Sequence, residues 1–136
     1  MTELEMRFLI DTDICSYAMG GHPAVIARWH NYRRGEIGIS AVTEAELRFG
    51  IARRRSQRDA GALERFLQPY EILEFSTAHA PAYAELRVDL ERRGMPIGKS
   101  DMFIAAQAIG SNLVVVTNNE REFRRVPGLK IENWAA

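Results

Sequence analysis

Four short runs of aliphatic and β-branched residues divide the chain: "MRFLI" (6–10), "EIGIS" (36–40), "YEILEF" (70–75) and "NLVVVT" (112–117). A weaker fifth, "LKIEN" (129–133), follows near the end. Runs of this length, bounded by polar and turn-forming residues, predict strands. The longer stretches between them read as helices at about 12–19, 22–34, 41–55, 57–68, 77–93 and 101–110. Strands that alternate with helices need crossover connections, so the pattern predicts an α/β fold. Its mostly parallel central sheet has about four to five strands flanked by helices. Such sheets place ligand sites beyond the carboxyl ends of their strands.

With 136 residues, 46% of them hydrophobic and 26% charged, the chain has material for one core, and residues 1–136 read as a single domain. It shows no internal repeat, linker or low-complexity segment. Met6 could serve as an alternative start, because "MRFLID" opens directly on the strand and residues 1–5 read as a dispensable extension. No apolar stretch approaches the roughly 18 to 20 residues of a membrane span, and no basic segment precedes an apolar run as in a secretory signal. The expectation is a soluble cytoplasmic protein that does not engage a membrane. Cys15 has no partner for a disulfide and reads as a small buried side chain. His22, His30 and His79 lack ligand-like spacing, which argues against zinc.

Eighteen basic residues balance eighteen acidic ones, so net charge does not advertise a nucleic-acid binder. Apart from Lys99 and Lys130, every basic residue is arginine, whose planar fork suits phosphate and carboxylate. The densest cluster, "RRRSQR" (53–58), fits either a solvated helix end or a phosphate-contacting patch.

Acids also sit where apolar residues belong. Asp11 and Asp13 end the first strand and open a helix, where either acid or Thr12 could cap free N–H groups. In "SAVTEAELRFGIARR", Glu44 shares a helix side with Arg48, whereas Glu46 falls among Val42, Phe49 and Gly50 on the side that should meet the protein. A carboxylate there is costly without a partner, and Arg53 is one candidate. In "IGKSDMFIAAQAIGSN", Ser100 is a plausible N-cap and Asp101 enters the first turn above the small residues Ala105 and Ala108. If the sheet gathers Asp11, Glu46 and Asp101 at one edge, repulsion would raise their pKa values or call for a cation between them. Oxygen ligands without His or Cys favour Mg2+ or Mn2+, the equipment of metal-assisted phosphodiester hydrolysis.

The ordered stretches "LIDTDICSY", "IGISAVTEAELRFGIAR", "LERFLQPYEILEF", "PIGKSDMFIAAQAI" and "LVVVTNNEREFRRVPGLKIENW" together resemble a PIN-domain ribonuclease, in particular a VapC-type toxin of a bacterial toxin–antitoxin pair. The resemblance covers nearly the whole chain and implies a PIN-like fold. By position, Asp11, Glu46 and Asp101 match the family's metal-binding and catalytic acids, and Thr12 and Thr117 match hydroxyl residues of the same pocket. Two positions depart from the family pattern. Asp13 stands where many relatives have asparagine, and Asn119 stands where a fourth acid is common, with Glu120 or Glu122 as possible substitutes. The resemblance therefore implies one firmly held Mg2+ or Mn2+ and leaves a second ion open.

It further implies an endoribonuclease cutting structured RNA, such as a transfer RNA, with Arg53, Arg54, Arg55 and Arg121 as candidate phosphate contacts. Arg58, Arg124 and Arg125 share that candidacy. Most of Trp29, Tyr32, Phe49 and Tyr83 read as core or interface. The implied partners are a VapB-type antitoxin aiming a cation at the acidic pocket, operator DNA reached only through that antitoxin, and a second copy in a homodimer. Two rivals stand beside this reading. One is a noncatalytic RNA- or protein-binding module, which Asn119 favours. The other is a haloacid-dehalogenase-like phosphatase, suggested by "DTD" but lacking a glycine turn and leaving Glu46 unexplained.

Overall fold

The computed structural model describes residues 5–136. Strands β1 (Phe8–Ile10), β2 (Ile37–Ser40), β3 (Glu71–Leu73), β4 (Val114–Val116) and β5 (Ile131–Glu132) form one sheet in the order β3-β2-β1-β4-β5. Every neighbouring pair is parallel, with Ile10 level with Ile39 on one side and Val116 on the other. The crossovers carry helices α1 (Thr12–Met19), α2 (Pro23–Trp29), α3 (Ala41–Arg54), α4 (Gln57–Leu67), α5 (Ala80–Arg92), α6 (Lys99–Ser111) and α7 (Glu120–Phe123). The predicted α/β architecture is thus the one observed, and the weak fifth run is an edge strand.

Both faces of the sheet are covered, which is why its strands read as continuous apolar runs. Along β1 successive side chains point to opposite faces. Phe8 and Ile10 enter one core with Ile14, Trp29, Leu63 and Trp134, while Leu9 enters the other with Leu86, Leu90, Ile104 and Phe123. The small residues Ala105, Ala106 and Ala108 of α6 pack into this second core. Their small face therefore admits close packing of protein, not a ligand. Gly38 in β2 leaves room for Met6, because a Cβ there would fall 2.2 Å from the Met6 sulfur. Met6 thus packs on the second core, while residues 1–4 of the expected extension lie outside the described residues.

Four helical regions differ from the sequence pattern. The helix predicted over 22–34 ends at Trp29, because Tyr32 leaves the helical path to stack on Trp134 with ring centroids 5.4 Å apart. A short 3₁₀ turn follows at Arg34–Glu36, closed by the Arg33 N–H donating to Glu36 Oε2 at 2.8 Å. The segment predicted as one helix over 77–93 is a 3₁₀ turn at Thr77–His79 followed by α5, whose first turn holds Pro81. Helix α6 starts at Lys99 with Gly98 as its N-cap, so Ser100 lies inside the helix and does not cap it. One-turn α7 was absent from the pattern because four residues carry no readable period. Among the described residues, no helix is long and apolar enough to cross a membrane.

The C-terminal segment belongs to the core. Trp134 is fully buried, stacked on Tyr32 and edge-on to Phe8 and Trp29, and its indole N–H donates to Glu132 Oε1 at 3.0 Å. Trp134→Ala is expected to cost about 3 to 5 kcal/mol in urea unfolding followed by circular dichroism. A cost under about 1 kcal/mol would show that the closing strand does not hold this core.

Candidate active site

Strand β1 is paired on both sides and delivers Asp11 to the carboxyl edge of the sheet, where its backbone N–H still bonds Val116 C=O at 2.9 Å. Asp11 is the N-cap of α1, and its Oδ1 accepts from the Thr12 N–H at 2.8 Å. Its Oδ2 accepts from the Thr117 hydroxyl at 2.8 Å. Capping and a place in a shared acidic pocket therefore coexist in one side chain. Thr117 is fully buried just past β4, and its oxygen accepts in turn from the Asn119 N–H at 2.9 Å.

Asn119 carries the chain of contacts onward. Its side-chain amide donates to Asp101 Oδ2 at 3.2 Å and to Glu122 Oε2 at 2.8 Å. Two acceptors orient the amide N–H group toward the acids, so Asn119 braces carboxylates here and does not turn its oxygen to them. Glu122 faces the site, whereas Glu120 pairs with Arg124 at 2.7 Å and accepts from Asn133. Of the two possible substitutes for a fourth acid, only Glu122 is within reach of Asp101.

Glu46 reaches the same edge from α3. It is exposed, contrary to the inward orientation read from its helix side, and its Oε1 accepts from the Ser100 hydroxyl at 3.1 Å. Ser100 precedes Asp101, so this bond seats Glu46 beside the first turn of α6. The Arg53 partner considered for Glu46 lies instead over the ring of Phe49, 5.4 Å from its centroid. Phe49 is 61% exposed and is not core, because the helix turns its side chain to solvent. Glu44 pairs with Arg48 at 2.7 Å as its spacing indicated.

Mutual charge is visible in the acids themselves. Burial, reinforced by the neighbouring Asp13 carboxylate and by Glu46, pushes the Asp11 carboxyl up to about 6 despite the Thr117 and Thr12 bonds. Burial also raises Asp101, to about 8, helped by its bond with Glu122 and by the charges of Asp11, Glu122 and Asp13. Glu122 is held down by the same bond and by Asn119, Arg125 and Arg121, so the two carboxyls titrate as a pair. Asp13 is raised by burial, while its oxygens accept from the Ile14 N–H at 2.7 Å and the Asn118 N–H at 3.1 Å. It ties the loop after β4 to α1.

An all-oxygen set of desolvated, mutually repelling carboxylates fits a hard divalent cation. As placed, no three His, Cys, Asp or Glu side chains among the described residues could together hold one ion. A ready-made three-acid cage is therefore not present. Mg2+ tolerates this, since it is commonly held by one or two carboxylates and keeps several waters.

Beside Thr12 and Glu46 lies a cleft of about 600 Å³ between α1, α3 and α4. Leu47 and Ile51 line it, and Arg54, Arg58 and Arg65 add positive charge. Of the arginines singled out in the sequence, Arg54 and Arg58 line this cleft, and Arg54 also pairs with Asp59 at 3.4 Å. Arg53, Arg55 and Arg121 are exposed, with Arg55 ending α3 at a left-handed φ of 55°. Arg124 and Arg125 are engaged within the fold, Arg125 donating to Pro96 C=O at 2.7 Å. Ser100 was not among the residues singled out for the site, and Glu122 was named only as an alternative to Glu120. Ser100 resembled a cap, and Glu120 and Glu122, two positions apart, are told apart only by the turn of α7.

A PIN-domain family model matches residues 8–129. Ribonuclease VapC2 of Rickettsia felis is 38% identical over 134 residues, which span 95% of this chain and 98% of that protein. The chain belongs to the VapC family of PIN-domain ribonucleases. A VapC of Shigella flexneri, named as a tRNA(fMet)-specific endonuclease, is 35% identical over 96% of this chain and 99% of its own. The crystal structure of VapBC2 from Rickettsia felis bound to a promoter DNA fragment superposes with a TM-score of 0.86 at 36% identity, covering 95% of this chain and 99% of that one. This VapC-family chain is accordingly a ribonuclease toxin, a phosphodiester hydrolase of a family that is typically metal-dependent. The phosphatase and noncatalytic readings fall with that membership.

The raised acids have a consequence for stability. Without metal, the folded chain keeps protons on Asp11 up to about 6 and on Asp101 up to about 8, whereas the unfolded chain releases them near 3.8. The folded state binds more protons across that window, so stability falls as pH rises through it. Metal-free protein is expected to melt lower at about pH 8 than at about pH 5, and Mg2+ should raise the melting temperature more at the higher pH. Asp101→Asn should flatten both dependences in thermal scans. An equal Mg2+ effect at both pH values would contradict the assignment.

Proposed function

We propose that this ribonuclease cuts transfer RNA internally, using Asp11, Asp101 and Glu46 with Mg2+ or Mn2+ at the carboxyl edge of the sheet. The observation that carries the reading is the unbroken line of contacts from Asp11 through Thr117 and Asn119 to Asp101 and Glu122, with Glu46 joined through Ser100. Asp11 and Asp101 would hold the ion, and Thr12 and Thr117 would support it. When bound, the ion neutralises charge on the scissile phosphate and makes a water more acidic. Thr117 and the Thr12 N–H hold both Asp11 oxygens in fixed directions. Glu46 has Oε1 engaged by Ser100, which leaves Oε2 to accept the proton of the attacking water. Asn119 and Glu122 hold Asp101 in place.

Transfer RNA is the substrate class because relatives from Shigella flexneri and Salmonella typhimurium, each 35% identical, are named tRNA(fMet)-specific endonucleases. A single-stranded loop presents the unstacked backbone that side chains at an open edge can reach. Exposed Arg53, Arg55 and Arg121 are suited to flanking phosphates, and Arg54 to the cleft side. The cleft between α1, α3 and α4 suits a segment of a VapB-type antitoxin, its apolar residues against Leu47 and Ile51 and a basic residue near Glu46. Operator DNA would be reached through that antitoxin, a reading supported by the VapBC2 complex of Rickettsia felis on a promoter fragment and the DNA-bound VapBC of Salmonella typhimurium. A homodimer completes the proposal.

Purified protein and variants incubated with total RNA and Mn2+, followed by mapping of new RNA ends, test this reading. Asp11→Asn and Asp101→Asn are expected to lower cleavage by about 10² or more, and Glu46→Gln by about tenfold to a hundredfold. Asp13→Asn, which keeps one oxygen to accept a backbone N–H, should retain most activity. Equal cutting by wild type and Asp11→Asn would remove the proposed site, and new ends confined to other RNAs would remove the substrate.

A further inference from the structure

Gln107 is fully buried in the middle of an apolar stretch, "MFIAAQAI", and both ends of its amide are engaged. Its Oε1 accepts from the Ser40 hydroxyl at 2.6 Å, and its Nε2 donates to Leu73 C=O, at the end of β3, at 2.8 Å. Ser40 is itself fully buried and is the N-cap of α3, accepting from the Val42 N–H at 3.0 Å. One turn further, Thr43 donates to Ile10 C=O at 3.0 Å, the carbonyl just before Asp11. Burying so many polar groups is costly unless all are paired, and here each has a partner.

The spacing along the two helices gives this network its meaning. Glu46 follows Ser40 by six residues, and Gln107 follows Asp101 by six, about 9 Å along each helix axis. Helices α3 and α6 pack against each other and are joined at two levels. One is the buried Ser40–Gln107 bond, and the other is the Ser100–Glu46 bond at the open edge. The outer bond is weak in water, where both partners can exchange it for solvent. The inner bond is shielded and fixes how far α3 slides along α6.

We propose that Gln107 is a positioning residue of this ribonuclease, one that sets the register of α3 on α6 through Ser40 and thereby the placement of Glu46 relative to Asp101. It touches neither substrate nor metal. The inference rests on the reading that Asp11, Asp101 and Glu46 form the active site.

Gln107→Met keeps the length of the side chain and removes both bonds, while Ser40→Ala cuts the same link from the other helix. Both are assayed in the full chain, well below their melting temperatures, beside Leu86→Ala, a core truncation in α5 outside the link. Either variant is expected to lower kcat for RNA cleavage about tenfold or more with KM within about twofold. Mn2+ binding by calorimetry should weaken in the same variants, and the double variant should fall little further than either single one. Leu86→Ala should lower the melting temperature without changing kcat or Mn2+ affinity. If Gln107→Met does not fold, Ser40→Ala carries the test. A folded variant with wild-type kcat and Mn2+ affinity, or a fall in kcat matched by Leu86→Ala, overturns the inference alone. Wild-type protein that neither binds Mn2+ nor cuts RNA overturns the active-site reading and this inference with it.

Discussion

The bond from the Thr117 hydroxyl to Asp11 Oδ2 joins the ends of two neighbouring parallel strands across 106 residues of sequence. It exists because β1 and β4 run side by side in register, so that the residues just past Ile10 and Val116 emerge together. The same register leaves a carboxylate at the edge of a sheet whose two faces are closed by helices, where desolvation raises the cost of its charge. The site then follows from how that cost is met. Asp11 turns one oxygen to a helix N-terminus and the other to a buried hydroxyl, and the remaining repulsion from Asp13, Glu46 and Asp101 is what the proposed divalent cation would relieve.

Much of this was legible in the sequence because β1, β2 and β4 are buried on both faces and so read as unbroken apolar runs. Asp11 and Asp101 stood out for a related reason: each interrupts a pattern that would otherwise continue. Glu46 was singled out, but its orientation was not read correctly, because helix phase alone cannot say that α3 turns this side toward Ser100 at the open edge. The early end of α2 depends on Tyr32 meeting Trp134, residues about a hundred apart, and no local pattern carries such a contact. The choice of Glu122 over Glu120 and the role of Gln107 were hidden in opposite ways. Glu122 sits in a helix too short to show a period, and Gln107 is a polar residue inside an apolar run whose partners lie on distant strands.

The departures from the family pattern acquire physical roles. Asn119 cannot supply charge, yet its amide links Asp101 to Glu122, so a negative group is present at that side of the pocket from a position three residues later. The arrangement keeps the acidity of the edge while moving its outermost charge onto α7, near Arg121 and Arg125, which lower its cost. Asp13, the other departure, uses its carboxylate to hold the loop that presents Thr117 and Asn119. Both changes act on the support of the pocket and leave Asp11 and Asp101 as its floor.

A crystal of the protein grown with Mn2+ and measured at a wavelength where manganese scatters anomalously would locate the ion itself. The expected result is a single strong peak within about 2.0 to 2.3 Å of oxygens from both Asp11 and Asp101, with waters completing the shell. A peak seated elsewhere, or a well-occupied crystal with none at this edge, would contradict the view that the converging carboxylates exist to hold a cation.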